Sequence, residues 1–237
     1  MQLSIIFLEI SERLRNLLFS KTMVFHCQGI LFDLDGVLVD SRQAVERVWR
    51  GWAAEHSIDA ELVLGSAHGR RTIDTVRLVA PHLDAQHEDT VVEEREIADG
   101  DGVIAVAGAG DLLASLGADR FAVVTSASEA LARARMGFAA LSMPARFVTA
   151  DRVTHGKPHP EPYLKGAELL GFPAQDCVVF EDTAAGIQSG KAAGMKVVGL
   201  TTTYPASALK AADAIVKNLR GVKAEVANGR VNLTLPA

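Results

Sequence analysis

The chain has 237 residues, of which 49% are hydrophobic, so it can bury the core of one large domain without disulfides or structural metals. Its 24 Lys and Arg residues stand against 29 Asp and Glu residues, and a net charge of -5 without any basic block excludes an electrostatic surface for nucleic acid. The two cysteines, Cys27 and Cys177, each adjoin an apolar β-rich run, which predicts buried thiols in a reducing compartment and therefore a cytoplasmic protein.

Residues 1–22 have the apolar spacing of an amphipathic helix. Glu9 and Glu12 interrupt the apolar residues, and the segment lacks a basic start and a small-residue cleavage site, so it does not fit a signal peptide. It is also too short to span a bilayer. We interpret it as an N-terminal extension in front of a fold that begins at Met23. The alternative is a helix that docks on a partner or on a membrane surface.

Short, apolar, β-branched segments recur along the chain and predict the buried strands of a parallel sheet. Four are well defined and the last in this list is weaker: residues 29–35, 121–126, 177–182, 196–202 and 214–219. Helical patterns separate them, and this alternation predicts an α/β fold with a doubly wound, Rossmann-like parallel sheet. Ligands of such folds bind at the carboxyl ends of the strands.

The long segment between the first and second predicted strands contains helical patterns such as "AVERVWRGWAAEH" but no convincing parallel strand. A crossover between parallel strands needs only about a dozen residues, so this segment holds an additional unit. We predict that residues 42–105 form an inserted small helical cap domain. Residues 23–41 and 106–237 then form the α/β core.

Two carboxylates, Asp33 and Asp35, follow the first predicted strand in "DLDG". A carboxylate attacks phosphorus only when the electrophile is strongly activated, as in a metal-bound phosphate ester, so Asp33 is the candidate nucleophile. Asp35 is the candidate acid and base, which protonates the leaving oxygen and later takes a proton from water. The alternative is that both side chains only cap a turn.

A second pair of carboxylates, Glu181 and Asp182, ends the third predicted strand. A divalent cation offsets the repulsion among clustered carboxylates, and Mg²⁺ prefers oxygen ligands. We therefore predict Mg²⁺ as the cofactor, bound by Asp33, the backbone carbonyl of Asp35, Glu181 and Asp182.

Three further polar residues are candidates for holding a phosphoryl group. Thr125 and Ser126 end the second predicted strand, where a hydroxyl and the following backbone amides meet a helix N-terminus. Lys157 stands between Gly156 and Pro158, a rigid setting in which it would neutralise Asp33 and the phosphoryl group. The alternatives are a plain helix cap for the hydroxyls and a solvated surface position for the lysine.

Four motifs occur in order along the chain: "DLDG", "VVTS", "GKPHPEP" and "VVFEDTAAGIQSGKAAG". This arrangement resembles the haloacid-dehalogenase superfamily of phosphohydrolases from Cys27 to about Leu219. The resemblance implies that Asp33 forms an aspartyl-phosphate and that Asp35 is the acid and base. It also implies the remaining roles: Ser126 and Lys157 hold the phosphate, with Thr125 as the substitute for Ser126, and Asp182 with Glu181 binds Mg²⁺.

Three other segments narrow the resemblance: "SAHGRRTIDTVRLVAP", "GKPHPEPYLKG" and "ADAIVKN" are similar to yeast-type glycerol-3-phosphatases and 2-deoxyglucose-6-phosphatases. The cap motif of those enzymes, His-Gly-x-Arg-Thr, corresponds here to His68, Gly69, Arg71 and Thr72, with Arg70 at the variable position. We expect Arg71 to bind phosphate oxygens when the cap closes, with Arg70 and His68 near the substrate. The alternative for both arginines is a pair of solvated charges.

The resemblance implies Mg²⁺-dependent hydrolysis of small phosphorylated metabolites, namely sugar, polyol or glycerol phosphates. The alternatives are a sugar phosphomutase of the same superfamily and a non-catalytic module that binds such metabolites. Phosphomutases of this kind carry a histidine near the cap hinge where this chain has Val45. We expect neither nucleic acid nor membrane as a partner, and the sequence leaves the oligomeric state open.

Overall fold

The computed structural model describes residues 22–236. The predicted N-terminal extension therefore lies outside the described residues apart from Thr22, and the first strand, β1, begins at Met23. Among the helices within this range, none is long and apolar enough to cross a bilayer.

Six parallel strands form the main sheet in the order β6-β5-β2-β7-β8-β9. Their bounds are β2 Gly29–Phe32, β5 Phe121–Val124, β6 Phe147–Val148, β7 Cys177–Glu181, β8 Lys196–Leu200 and β9 Ala214–Val216. The five predicted strands are all present, and the α/β prediction is confirmed. The two-residue strand β6 is not predicted, because so short a segment has no periodic pattern.

Helices cover both faces of this sheet, which explains why every residue of β2 is buried. Ile30 and Phe32 pack into one apolar cluster, and Leu31 packs into the other. The first cluster includes residues of α5 (Ala109–Ser115) and α6 (Glu129–Phe138), and the second includes residues of α7 (Glu161–Leu170) and α8 (Ala184–Ala192). The sheet is therefore a middle layer that holds its strand ends in fixed positions.

Four helices lie between two short strands, β3 (Val39–Asp40) and β4 (Ile104–Ala105), which pair antiparallel. The helices are α1 Arg42–Glu55, α2 Ala60–Ala67, α3 Thr72–Val79 and α4 Ala85–Ala98. They share an apolar cluster of their own around Trp49 and Trp52, and the Trp52 indole donates to Glu88 at 2.8 Å. We call α1–α4 the cap helices, and they fall within the segment 42–105 that the sequence predicts as a cap domain.

A second, antiparallel sheet has the order β1-β11-β10, with bounds β1 Met23–Cys27, β10 Lys223–Ala227 and β11 Arg230–Leu235. The sequence analysis does not predict it. Asn228 and Gly229 join β10 to β11, and both have positive φ, of 52° and 76°. An Asn-Gly pair suits the type I′ turn of a two-residue hairpin, so this turn is the local signal for the two strands.

Candidate active site

The carboxyl ends of β2, β5 and β7 meet at one edge of the main sheet, and the cap helices lie over this edge. Asp33 follows β2, is 3% exposed, and donates its backbone N–H to the Phe180 carbonyl at 3.0 Å. Gly36 turns the chain away with a φ of 77°, and a side chain there would collide with the Asp182 carboxylate. The turn after β2 therefore needs glycine for both its conformation and its closeness to β7.

Lys157 is fully enclosed at the centre of the site. Its Nζ lies 2.8 Å from Asp33 Oδ1 and 2.6 Å from Glu181 Oε1, and it donates to the Val124 carbonyl at 3.2 Å. Burial acts to lower the pKa of Lys157, but the charges of Asp33 and Glu181 outweigh it and raise the pKa. The lysine is a fixed positive charge beside Asp33.

Burial also shapes the candidate nucleophile itself. It raises the pKa of Asp33 to about 7, while the charge of Lys157 acts in the opposite direction. Glu181 adds to the rise because its carboxylate is close by. A further positive charge at this position would favour the ionised form that attack requires.

Both carboxylate oxygens of Glu181 are engaged by protein groups. Oε1 accepts from Lys157 Nζ and from the Tyr163 hydroxyl at 2.8 Å. Oε2 accepts from the backbone amides of Asp182 at 3.0 Å and Thr183 at 3.2 Å, and from the Thr183 hydroxyl at 3.1 Å. A metal bound directly to Glu181 would displace some of these bonds, so the contacts favour a role in holding Lys157.

Asp182 presents the opposite case. Its Oδ1 is buried and has no hydrogen-bond partner among the described residues. Burial, together with the charges of Glu181 and Asp33, raises the pKa of Asp182 well above its ordinary value. Oxygens of these three carboxylates lie within 4.8 Å of one another. An unpartnered buried oxygen in a crowd of carboxylates fits a divalent cation, with Asp33 and Asp182 as direct ligands.

The carboxylate of Asp35 is held at both oxygens. The Ser41 hydroxyl donates to Oδ1 at 2.6 Å, and Arg135 Nη1 donates to Oδ2 at 2.6 Å. The other terminal nitrogen of Arg135, Nη2, lies 2.9 Å from Oε2 of Glu96 on α4. None of Ser41, Arg135 and Glu96 is among the site residues predicted from the sequence.

Thr125 and Ser126 follow β5, but their hydroxyls face different groups. Thr125 is buried, and its hydroxyl accepts the backbone N–H of Ala127 at 3.1 Å, as a local cap does. Thr125 and Ser126 both line the cavity above Asp33, and the Ser126 hydroxyl donates to the Gly69 carbonyl at 3.0 Å. Both residues are therefore candidates for a phosphoryl contact, and Ser126 would have to release the Gly69 carbonyl to make one.

The two cap arginines have different surroundings. Arg70 and His68 line the same cavity as Asp33. Arg71 does not; its Nε and Nη2 bind Asp74 at 2.7 and 3.1 Å, and its Nη1 donates to the Thr154 carbonyl at 3.2 Å. Arg71 therefore joins the cap to the loop before Lys157, and of the two arginines Arg70 is the one that lines the cavity.

Sequence reasoning missed two kinds of site residue. Tyr163 lies inside the quoted motif "GKPHPEPY", so that motif was the available signal. Arg135 and Glu96 lie in helices that also carry exposed charged residues such as Arg133 and Glu94, and a charged residue is usually solvated. Their burial is visible only in three dimensions, because it arises from the contact between α6 and α4.

Comparisons with known proteins agree with this geometry. Residues 27–194 match the haloacid dehalogenase-like hydrolase family. The chain is 42% identical over 201 residues to hexitol phosphatase A of Escherichia coli, covering 83% of this chain and 93% of that protein. It is 38% identical over 219 residues to glycerol-1-phosphate phosphohydrolase 1 of Saccharomyces cerevisiae, covering 86% and 87%.

Among solved structures, the β-phosphoglucomutase of Clostridium difficile superposes with a TM-score of 0.73 at 21% identity, covering 83% of this chain and 93% of that one. This similarity establishes a shared fold and does not extend to the reaction.

Proposed function

The chain belongs to the haloacid dehalogenase-like hydrolases, and we propose that it is a Mg²⁺-dependent phosphatase that acts on small phosphorylated sugars and polyols, including glycerol phosphates. The names of its relatives support this substrate class, since one is a hexitol phosphatase and another a glycerol-1-phosphate phosphohydrolase. The observation that carries the proposal is the group formed by Asp33, Lys157 and the unpartnered oxygen of Asp182.

In the first step a carboxylate oxygen of Asp33 attacks phosphorus and the ester P–O bond breaks, which leaves an aspartyl-phosphate. Asp35 gives its proton to the leaving oxygen, and the alcohol departs. In the second step water attacks the phosphoryl group, Asp35 takes the proton of that water, and inorganic phosphate leaves with Asp33 restored. Lys157 holds Asp33 and neutralises charge on the phosphoryl oxygens throughout.

Mg²⁺, when bound by Asp33, Asp182 and the Asp35 carbonyl, supplies positive charge that polarises the phosphoryl group. Glu181 keeps Lys157 in place. Ser126 donates a hydrogen bond to a phosphoryl oxygen once its hydroxyl has left the Gly69 carbonyl. These assignments of residues to roles are part of the proposal.

We further propose that residues 42–105 act as the cap that selects the substrate. His68 supports a hydroxylated substrate, because its Nδ1 is 2.9 Å from the Leu64 carbonyl and must carry the proton there. Its buried Nε2 has no partner among residues 22–236. A substrate hydroxyl would satisfy it. Arg70 lines the same cavity and is the cap residue we assign to the phosphate.

Phosphate release from a panel of esters tests the proposal: hexitol, glycerol and hexose phosphates together with p-nitrophenyl phosphate, each with Mg²⁺ and with EDTA. We expect Mg²⁺-dependent release, with higher kcat/KM for the hydroxylated alkyl esters than for the aryl ester. Release that is unaffected by Asp33→Asn would contradict the assignment of the nucleophile. Transfer of phosphate to a second hydroxyl of a sugar, in place of release, would indicate a phosphomutase.

The compartment is also a proposal. Cys27 and Cys177 are both buried free thiols, and burial raises the pKa of each to about 12, so neither is prone to oxidation. Reduced, unreactive cysteines support a cytoplasmic location.

A further inference from the structure

A chain of ion pairs, buried at Arg135 and Glu96, connects the candidate acid and base to the cap. Arg135 contributes one terminal nitrogen to Asp35 Oδ2 at 2.6 Å and the other to Glu96 Oε2 at 2.9 Å. The side chains of Arg135 and Glu96 are only 8% and 5% exposed. Asp35 belongs to the loop after β2, Arg135 to α6 and Glu96 to α4, so three separate elements meet at one guanidinium.

This arrangement is not a solvated surface pair. Arg135 and Glu96 are buried and Asp35 is 29% exposed. Burying an arginine and a carboxylate is costly unless each charge is paired with good geometry, and here the pairing requires contacts across the core and the cap. The same helix offers a comparison: Arg133 is 59% exposed and binds Glu129 one turn away. One arginine of α6 therefore makes an ordinary surface pair, and the other is enclosed beside the site.

Both oxygens of Asp35 are held, because the Ser41 hydroxyl donates to the second one at 2.6 Å. A general acid must lie within hydrogen-bond reach of the oxygen it protonates, so the angle at which this carboxylate is held decides its usefulness. Arg135 cannot perform that proton transfer itself, since its guanidinium does not release a proton in proteins.

We propose that Arg135 is a positioning residue that holds Asp35 for proton transfer, and that Glu96 of the cap holds Arg135. This inference rests on the proposed phosphatase function and deepens it. The alignment of the acid and base then depends on the seating of α4, so the cap contributes to the chemical step as well as to substrate choice. If the cap opened, Arg135 would lose its contact with Glu96. Arg135 would then no longer be fixed in the position where it binds Asp35.

The test uses three esters that separate leaving group from hydroxyl content. A polyol phosphate and n-propyl phosphate both have a poor leaving group, but only the polyol carries further hydroxyls. The third ester, p-nitrophenyl phosphate, has a good leaving group and no further hydroxyls. Proton donation matters only for the two alkyl esters. The quantity to measure is kcat/KM, which reports the steps through departure of the alcohol.

For Arg135→Met we expect kcat/KM to fall on the order of 10²-fold for both alkyl esters and less than about fivefold for the aryl ester, the scale of lost acid assistance. Asp35→Asn should give the same pattern with a larger loss. Arg135→Lys should recover only part, because an ammonium cannot bridge two carboxylates as the planar fork does. Glu96→Gln should also lower kcat/KM for the alkyl esters more than for the aryl ester, but by about tenfold where Arg135→Met lowers it by about 10²-fold. Arg133→Met is the matched control on α6 and should leave all three values unchanged.

Each other outcome contradicts the inference. A loss confined to the polyol ester would make Arg135 a contact of the substrate hydroxyls. An equal loss for all three esters, or none, would remove the positioning role. If Arg135→Met fails to fold in thermal unfolding, Arg135→Lys and Glu96→Gln carry the test. Failure of the unaltered enzyme to release phosphate from any ester would instead reject the proposed function.

Discussion

The core and cap sides of the cavity differ in how firmly their charged groups are held. On the core side, Lys157 makes three contacts with strand-end groups and both oxygens of Glu181 are engaged. On the cap side, Arg70 is exposed and its side chain has no ion pair within residues 22–236.

This difference separates two tasks. Groups that stabilise the reaction must already be oriented, because an orientation that forms only during the reaction costs free energy at that point. Groups that admit and release a substrate need alternative contacts, because under the proposed role of the cap they would change partners as the substrate enters and leaves. Glu96 is the exception: it belongs to the cap, but it is as enclosed as the core residues.

Among substitutions on the core side of the cavity, Asp33→Asn should have the largest effect on activity. We expect it to abolish turnover for every ester, because an amide does not attack phosphorus and loses the charge that binds the cation. Mg²⁺ affinity, followed by calorimetry, should fall in the same variant. Asp176→Asn is the control, since Asp176 lies just before β7, at the end of that strand away from the cavity, and should retain activity. Residual turnover of Asp33→Asn above background would remove the covalent mechanism.

Lys157→Met should cost both activity and stability. Removing the lysine leaves Asp33 and Glu181 buried without their counter-charge, and breaking a buried ion pair costs about 3–5 kcal/mol. Phosphate release should also fall by about 10²- to 10³-fold or more, the scale of a lost electrostatic contact at the reacting group.

Tyr163→Phe should destabilise the protein less than Lys157→Met does. It removes one of the hydrogen bonds to Glu181 and should cost only about 1 kcal/mol of unfolding free energy. Urea unfolding of the two variants at the same pH checks both values. Equal destabilisation by both would show that the site does not depend on Lys157 as its central charge.

The enclosure of Glu96 predicts a pH dependence of stability. Burial raises its pKa to about 7 from an ordinary value of 4.5, while the charge of Arg135 opposes that rise. Between pH 4.5 and about 7 the native state keeps a proton on Glu96 that the unfolded chain has released. The stabilisation that this proton gives the native state is therefore complete below pH 4.5 and is lost as the pH rises through about 7. The loss amounts to about 3 kcal/mol.

The comparison with Glu96→Gln isolates this effect from that of other buried carboxylates. The difference in unfolding free energy between the unaltered protein and Glu96→Gln should change across pH 5 to about 7.5. Glu55→Gln is the control, because Glu55 forms an exposed pair with Arg95, and it should show no such change. A difference that is flat across this range would mean that Glu96 is ionised throughout and that Arg135 fully compensates its burial.

The sequence reasoning succeeded where position along a strand decides position in space. Asp33, Ser126 and Asp182 each follow a short apolar strand, and parallel strands bring their carboxyl ends to one edge, so local pattern is enough to bring these residues together. The same reasoning could not assign Glu181, because counting carboxylates does not show which oxygens backbone amides already occupy.

Other features depend on contacts that are distant along the chain. Arg135 meets Asp35 and Glu96, which are 100 and 39 residues away, and no local pattern distinguishes it from Arg133. The sheet of β1, β10 and β11 was missed for a related reason: β10 pairs with β11 through a readable Asn-Gly turn, but four of the five β10 residues are exposed and lack the apolar alternation of a buried strand.

The riskiest prediction concerns the two adjacent arginines of the cap, Arg70 and Arg71. The sequence motif favours Arg71 as the phosphate contact, whereas the geometry favours Arg70, because Arg71 has its guanidinium bound to Asp74 and to the Thr154 carbonyl. Arg70→Ala should therefore lower kcat/KM by about ten- to a hundredfold for every phosphorylated substrate, as the loss of a charge-assisted hydrogen bond of about 1.5–3 kcal/mol implies.

Arg71→Ala should lower kcat/KM less than about fivefold, since it removes one tie between the cap and the loop before Lys157 and leaves the phosphate contact in place. Arg77→Ala is the matched control, because Arg77 also lies near Asp74 but is 61% exposed. Measuring these variants with a polyol phosphate and a hexose phosphate decides between the residues. If Arg71→Ala gives the larger loss, closure must free its guanidinium from Asp74, and the cap then exchanges an internal ion pair for the substrate. If Arg70→Ala gives the larger loss, the phosphate is bound by Arg70, which has no ion pair to break first. The cap side of the cavity is then loosely held only in the absence of substrate.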